Sequence, residues 1–173
     1  IASSRIQALI DSMIETLRDS PGEGLAASQV GENLQIIIIE DLAKYHKIRP
    51  KKLLAEQDRK PVELTVIINP KLTIVGTETA SYFEGCLSVS GYVAVVERAL
   101  RVKVSGLNRE GKPIEIEATG WLARILQHEL DHLSGKLYID RMCPRSFMTE
   151  KAFSLHWADK RAADRTHCMQ TSL

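Results

Sequence analysis

Near the C-terminal end of the chain, the stretch LQHELDHLSG at residues 126–135 limits the fold more than any other segment. Trp121, Leu122, Ile125, Leu126, Leu130 and Leu133 recur at helical spacing, Thr119 stands where an N-cap belongs, and Gly135 stands where a helix would stop. Side chains at i and i+4 of a helix lie one above the other, so His128 and His132 share a face with Glu129 beside them. A helix this apolar belongs inside the protein. Its histidines then either find buried hydrogen-bond partners or converge on one metal ion.

The rest of the chain supplies the cover for such a helix. Ile6, Leu9, Ile10, Met13, Ile14 and Leu17 follow Ser3 and Ser4 at helical spacing, which predicts an amphipathic helix over 4–18 ended by Pro21 and Gly22. Residues 35–40, 64–69, 71–75, 92–97, 100–106 and 113–118 are β-branched or alternating and read as strands, with NREGK at 108–112 as a hairpin turn. The expected class is α+β, with antiparallel β-sheets surrounding a central HExxH helix and an amphipathic helix at the N-terminus. The polar, Lys- and Arg-rich stretch 42–61 reads as a solvated surface insertion.

With 173 residues, 44% hydrophobic and 26% charged, the chain is expected to bury one sizeable core as a single soluble domain, 1–173. A net charge of +1 gives no field favouring nucleic acid or an anionic membrane, and no apolar run approaches transmembrane length. Cys86, Cys143 and Cys168 form no even framework, which suggests a reducing compartment. The chain starts at Ile1 and its first Met is Met13, as expected of a processed form with any targeting peptide removed.

Two histidines rarely hold a metal alone, so a third protein ligand is needed. One zinc-protease pattern, HExxHxxGxxH, is followed as far as Gly135 but has Tyr138 in place of the third histidine. A second pattern uses a downstream glutamate, for which Glu150 is available. The third candidate is Cys86 in EGCLSV, where a thiolate beside glycine suits a borderline-soft ion. A lone cysteine is more often a small buried hydrophobe.

A glycine-rich stretch, GEGLAASQVG at 22–31, carries one uncharged amide, Gln29. Alone it is a weak signal. Taken in order, GEGLAASQ, EGCLS and QHELDHLSG resemble the three motifs of the peptide deformylases over residues 1–148, and FEGCLSVSGY and GWLARILQHE look most like the eukaryotic mitochondrial or organellar type 1A branch. Residues 149–173, the C-terminal extension, match nothing assignable.

The resemblance implies a metallohydrolase that removes the formyl group from the N-terminal formyl-methionine of nascent polypeptides and releases formate. It implies one divalent ion per chain held by Cys86, His128 and His132, with Fe²⁺ as the physiological metal and Zn²⁺ or Ni²⁺ in purified protein. Glu129 would be general base and then acid, and the Leu87 backbone N–H and Gln29 would donate to the developing oxyanion. Gly24, Glu23 and Gly85 would contact the peptide backbone, while Tyr82, Trp121, Ile125 and His128 would line the methionine pocket. Glu84 and Arg98 are candidates for an ion pair behind the cysteine.

Partners implied are a formyl-methionyl peptide, the ribosome as its source, and a second copy of the chain. The implied location is a mitochondrion or plastid, or the cytoplasm for a bacterial protein. The alternatives are a zinc endopeptidase using Glu150 and a catalytically silent peptide-binding homologue.

Two positions depart from the family pattern. Ser28 stands where proline is frequent, which loosens the loop. Glu23 stands where an apolar residue is usual, which sets a charge beside the peptide and predicts a bias toward Lys or Arg after the methionine.

Overall fold

The computed structural model describes residues 1–47 and 49–158. In chain order the elements are α1 (Ser4–Arg18), β1 (Gly24–Ala26), β2 (Ile36–Asp41), α2 (Ala43–His46), α3 (Lys51–Glu56), β3 (Val62–Ile74), β4 (Thr79–Cys86) and β5 (Val89–Ala99). They continue with β6 (Arg101–Leu107), β7 (Pro113–Thr119), α4 (Gly120–Leu133), β8 (Met148–Thr149) and α5 (Glu150–His156). Short 3₁₀ turns lie at Ala27–Val30, Tyr138–Asp140 and Pro144–Ser146. Two compact units result, one from Ile1–Glu78 with Ala99–Gly135 and one from Thr79–Arg98 with the described residues after Gly135.

In the first unit β1-β2-β3-β6-β7 form an antiparallel sheet in that order. Its second strand is the isoleucine run of β2, buried along its whole length, and strand periodicity sends alternate side chains to opposite faces. Ile36 and Ile38 pack with Leu25, Val66 and Ile68 against Ile10, Met13, Ile14 and Leu17 of α1. Ile37 and Ile39 pack with Ile67, Val102 and Val104 against Ala123, Ile125 and Leu126 of α4. The uninterrupted run needs no polar alternation because a helix covers each face. The helix α1 matches its expected bounds and is capped by Ser3, whose hydroxyl oxygen accepts from the Ile6 N–H.

In the second unit β4-β5-β8 form a small sheet. Phe83, Val93 and Val95 pack with Met148 and Phe153 on one side, and Ala94 and Val96 pack with Tyr138 on the other. The Tyr138 hydroxyl donates to the Tyr92 carbonyl at 2.9 Å. The α+β class and the antiparallel sheets are as the sequence implies.

Two readings of the sequence are corrected. Residues 64–69 and 71–75 are one strand, not two: Asn69 adopts φ 52° and Pro70 lacks an N–H, so the register with β6 shifts between Ile68 and Lys71, yet pairing resumes beyond. The insertion 42–61 is not merely solvated. It carries α2 and α3, and its Arg59 has a fully buried side chain that donates from Nε and Nη2 to the Asp41 carboxylate at 2.8 and 3.1 Å. This strap also touches the start of α4. The Thr119 hydroxyl donates to Asp58 Oδ2 at 2.7 Å rather than capping α4. Gly120 takes φ 56°, and a Cβ there would meet the Gln57 carbonyl and stand 2.6 Å from Asp58 Cβ.

Arg18 of α1 grips Glu40 of β2 through two hydrogen bonds of 2.9 and 2.7 Å, which hold the Glu40 carboxyl below its ordinary value of 4.5. A carboxyl lowered in the folded state stabilises the protein above its unfolded pKa, and the contribution is lost as pH falls through the folded value. Arg18→Gln is therefore expected to lower Tm at pH 7. The gap to the parent should close on acidification below about pH 4.5, as measured by thermal melts across pH.

Candidate metal centre and active site

The helix α4 presents its histidines as its spacing requires. The rings of His128 and His132 lie with centroids 4.9 Å apart, nearly edge to face at 79°, and His132 and Glu129 are buried. Cys86 ends β4, directly after Gly85 and before the turn that holds Leu87. The Cys86 sulfur and one ring nitrogen from each of His128 and His132 all lie within 4.8 Å of one another. Donors about 2.0–2.3 Å from a tetrahedral ion stand about 3.3–3.8 Å apart, so one thiolate and two imidazoles at this spacing fit a divalent ion and leave a position open.

The residues at which the other two patterns would place a third ligand stand differently. Tyr138 is buried with its hydroxyl engaged by Tyr92, and burial, with Cys86, Glu150 and Glu84 nearby, pushes its pKa up to about 12. A phenol so held stays protonated near neutral pH and is a poor ligand. Glu150 is exposed at the start of α5, and among the described residues the convergent donor group contains Cys86 rather than Glu150. Behind Cys86 the expected ion pair is present and buried: Arg98 donates from Nε and Nη2 to the two oxygens of Glu84 at 3.0 and 2.9 Å.

The glycine-rich stretch approaches α4 closely. A Cβ on Gly24 would stand 2.6 Å from Cδ and 2.7 Å from Cγ of Glu129 and meet its Oε1, so any larger residue there would displace this carboxylate. Gln29 lies in the following 3₁₀ turn. Its Oε1 accepts from the Ala26 N–H at 2.9 Å, which makes Nε2 the donor the amide presents. Ser28 does not loosen this loop: its hydroxyl donates to the His132 carbonyl at 3.1 Å, a group in the last turn of α4. Proline offers no hydroxyl for this bond.

Glu23 is where sequence reasoning fell shortest. Its Oε2 accepts from Trp121 Nε1 at 2.6 Å. Its Oε1 accepts from Arg59 Nη2 and, at 3.3 Å, from Arg49 Nη2. Both oxygens are occupied within the chain, so the expected bias toward basic peptide residues loses its basis. Arg59, Arg49 and Asp41 thus enter the surroundings of the site unannounced by any motif. The available signal was charge: a glutamate and, in the strap, arginines of opposite sign. Trp121 and Ile125 stand four residues apart on α4, with Ile125 buried, while Tyr82 is buried on β4.

Residues 1–147 match the polypeptide deformylase family. The chain is 54% identical over 155 residues to peptide deformylase 1A, chloroplastic, of Solanum lycopersicum, covering 90% of this chain and 56% of the relative. It is 50% identical over 159 residues to peptide deformylase 1A, chloroplastic/mitochondrial, of Arabidopsis thaliana, covering 92% and 59%. The chain thus spans less than two thirds of the length of these relatives.

Among solved structures, it is similar to the Met-Ala-Ser bound class I type b peptide deformylase of Acinetobacter baumannii, with TM-score 0.70, 33% identity and coverage of 82% of this chain and 84% of that one. It is also similar to the peptide deformylase of Synechococcus elongatus in complex with actinonin, with TM-score 0.67, 37% identity and coverage of 81% and 68%. Family match, identity and architecture agree with the donor set described above: the chain belongs to the polypeptide deformylase family.

Proposed function

We propose that this protein hydrolyses the formyl group from N-terminal formyl-methionine of nascent polypeptides and releases formate. The observation that carries the reading is the convergence of Cys86, His128 and His132 with Glu129 beside them, in a chain of this family. A divalent ion held by those three residues supplies Lewis acidity, polarising a carbonyl and lowering the pKa of water. Donor softness admits Fe²⁺, Zn²⁺ and Ni²⁺, with Fe²⁺ as the physiological choice.

Glu129 takes the proton from the attacking water and returns it to the leaving amine. As the formyl oxygen gains charge, Gln29 Nε2 and the Leu87 N–H donate to it. The peptide adds as a strand along the edge of β1 not used by β2, with Gly24 as a backbone partner. Its methionine side chain rests against Trp121 and Ile125. The matches to chloroplastic and mitochondrial relatives favour an organelle as the site of action, with chains emerging from the organellar ribosome as substrate.

The discriminating experiment offers formyl-Met-Ala-Ser to the metal-loaded protein and follows formate and peptide fragments. Formate with an intact tripeptide is expected. Internal cleavage without formate identifies an endopeptidase, and binding without either product identifies a silent homologue. Gly24→Ala is expected to cut kcat/KM for formate release by about 100-fold, because Glu129 or β1 must move to admit the methyl group. Parent-like turnover in that variant would contradict the placement of Glu129 at the reacting carbon.

A further inference from the structure

We infer that Glu23 is a positioning residue that fixes the Trp121 indole and thereby the wall of the pocket for the substrate's first side chain, an inference that rests on the deformylase reading. Trp121 has a single polar donor, and Glu23 Oε2 takes it at 2.6 Å. The carboxylate itself is held from behind. Its Oε1 is bound by Arg59, whose buried guanidinium is in turn clamped by Asp41 at 2.8 and 3.1 Å, and Arg49 adds a third contact at 3.3 Å. The same Arg59 stands 5.0 Å from the centroid of the Trp121 ring, and Arg124 stands 5.7 Å from it.

The ring is therefore gripped at its N–H by an anion and faced by cations. These contacts set its two side-chain torsions before substrate arrives. The chain of contacts runs from the strap through Asp41 and Arg59 to Glu23, and Glu23 directly precedes Gly24 on β1. One residue thus ties the strap, the edge strand and the first turn of α4 together. An apolar residue at position 23 leaves Arg59 facing one carboxylate fewer and the indole N–H without this acceptor. The position's departure from the family pattern and the strap's arginines are one device.

The test compares kcat/KM for formate release from formyl-Met-Ala-Ser and formyl-Ala-Ala-Ser in the parent, Glu23→Gln, Glu23→Ile and the double variant Glu23→Ile/Arg59→Met. A set wall discriminates between the two first side chains, whereas general destabilisation lowers both rates alike. Glu23→Gln keeps an acceptor for the indole and is expected to keep the parent's preference for the Met peptide. Glu23→Ile is expected to lose roughly tenfold of that preference, mostly as a raised KM for the Met peptide with kcat largely held.

Arg59→Met also strips the buried Asp41 carboxylate of its partner, so the double variant is expected to lose further Tm and not to regain the preference. A folded double variant with the parent's preference overturns the inference, as does an equal fall for both peptides in Glu23→Ile. A parent that releases no formate from the Met peptide overturns the deformylase reading itself, and this inference with it.

Discussion

Glu129→Gln is expected to lower kcat for formate release by about 10²–10⁴-fold while the protein keeps its full complement of metal. On the proposed reading the carboxylate moves protons: it lies on α4 next to His128, is buried, and is approached by β1 so closely that a Cβ at position 24 would displace it. Glutamine is nearly isosteric, so packing around the site is preserved. The amide cannot accept and return the proton, and the chemical step should suffer rather than substrate binding. Metal analysis of the purified variant separates this role from coordination. A variant that loses its metal would place Glu129 among the ligands and contradict the assignment.

Cys86→Ser is expected to reduce metal affinity and activity together, each by more than about 100-fold, since even loss of a group that merely orients a ligand costs 10–100-fold. A neutral hydroxyl is a poor replacement for a thiolate at the end of β4. Metal content after dialysis against a weak chelator, read beside formate release, checks both quantities in one sample. A metal-replete, active Cys86→Ser protein would hand the third-ligand role to Glu150 or another residue.

What the sequence made legible was local in origin. The helix α4 was readable because apolar spacing, the i and i+4 histidines and the glycine stop are all local signals. The strands β2, β5, β6 and β7 were readable because β-branched residues cluster in them. The strand β4 was missed: TASYFEGC combines Ala, Ser and Gly with few β-branched residues, and only pairing in its sheet makes it extended. The strand β3 was split because Asn69 and Pro70 are strong local punctuation, which the flanking ladder with β6 overrides.

The site divided in the same way. Cys86, His128 and His132, which the structure brings together, were accessible through motifs. The partners of Glu23 were not, because Arg59 and Trp121 lie 36 and 98 residues away along the chain and no periodicity links them. Reading Glu23 as a lone charge missed these partners, on whose absence the expected basic-peptide bias depended. Ser28 was misread for a related reason: its acceptor, the His132 carbonyl, is 104 residues distant.

The central claim, a metal-dependent deformylase whose ion is held by Cys86, His128 and His132, is tested most directly by stripping the protein of metal and titrating a divalent ion back under anaerobic conditions. Formate release from formyl-Met-Ala-Ser is followed throughout. The account predicts no turnover without metal and a linear rise that breaks at one equivalent per chain. Full turnover in the stripped protein, or a metal-saturated protein that releases no formate, would contradict it.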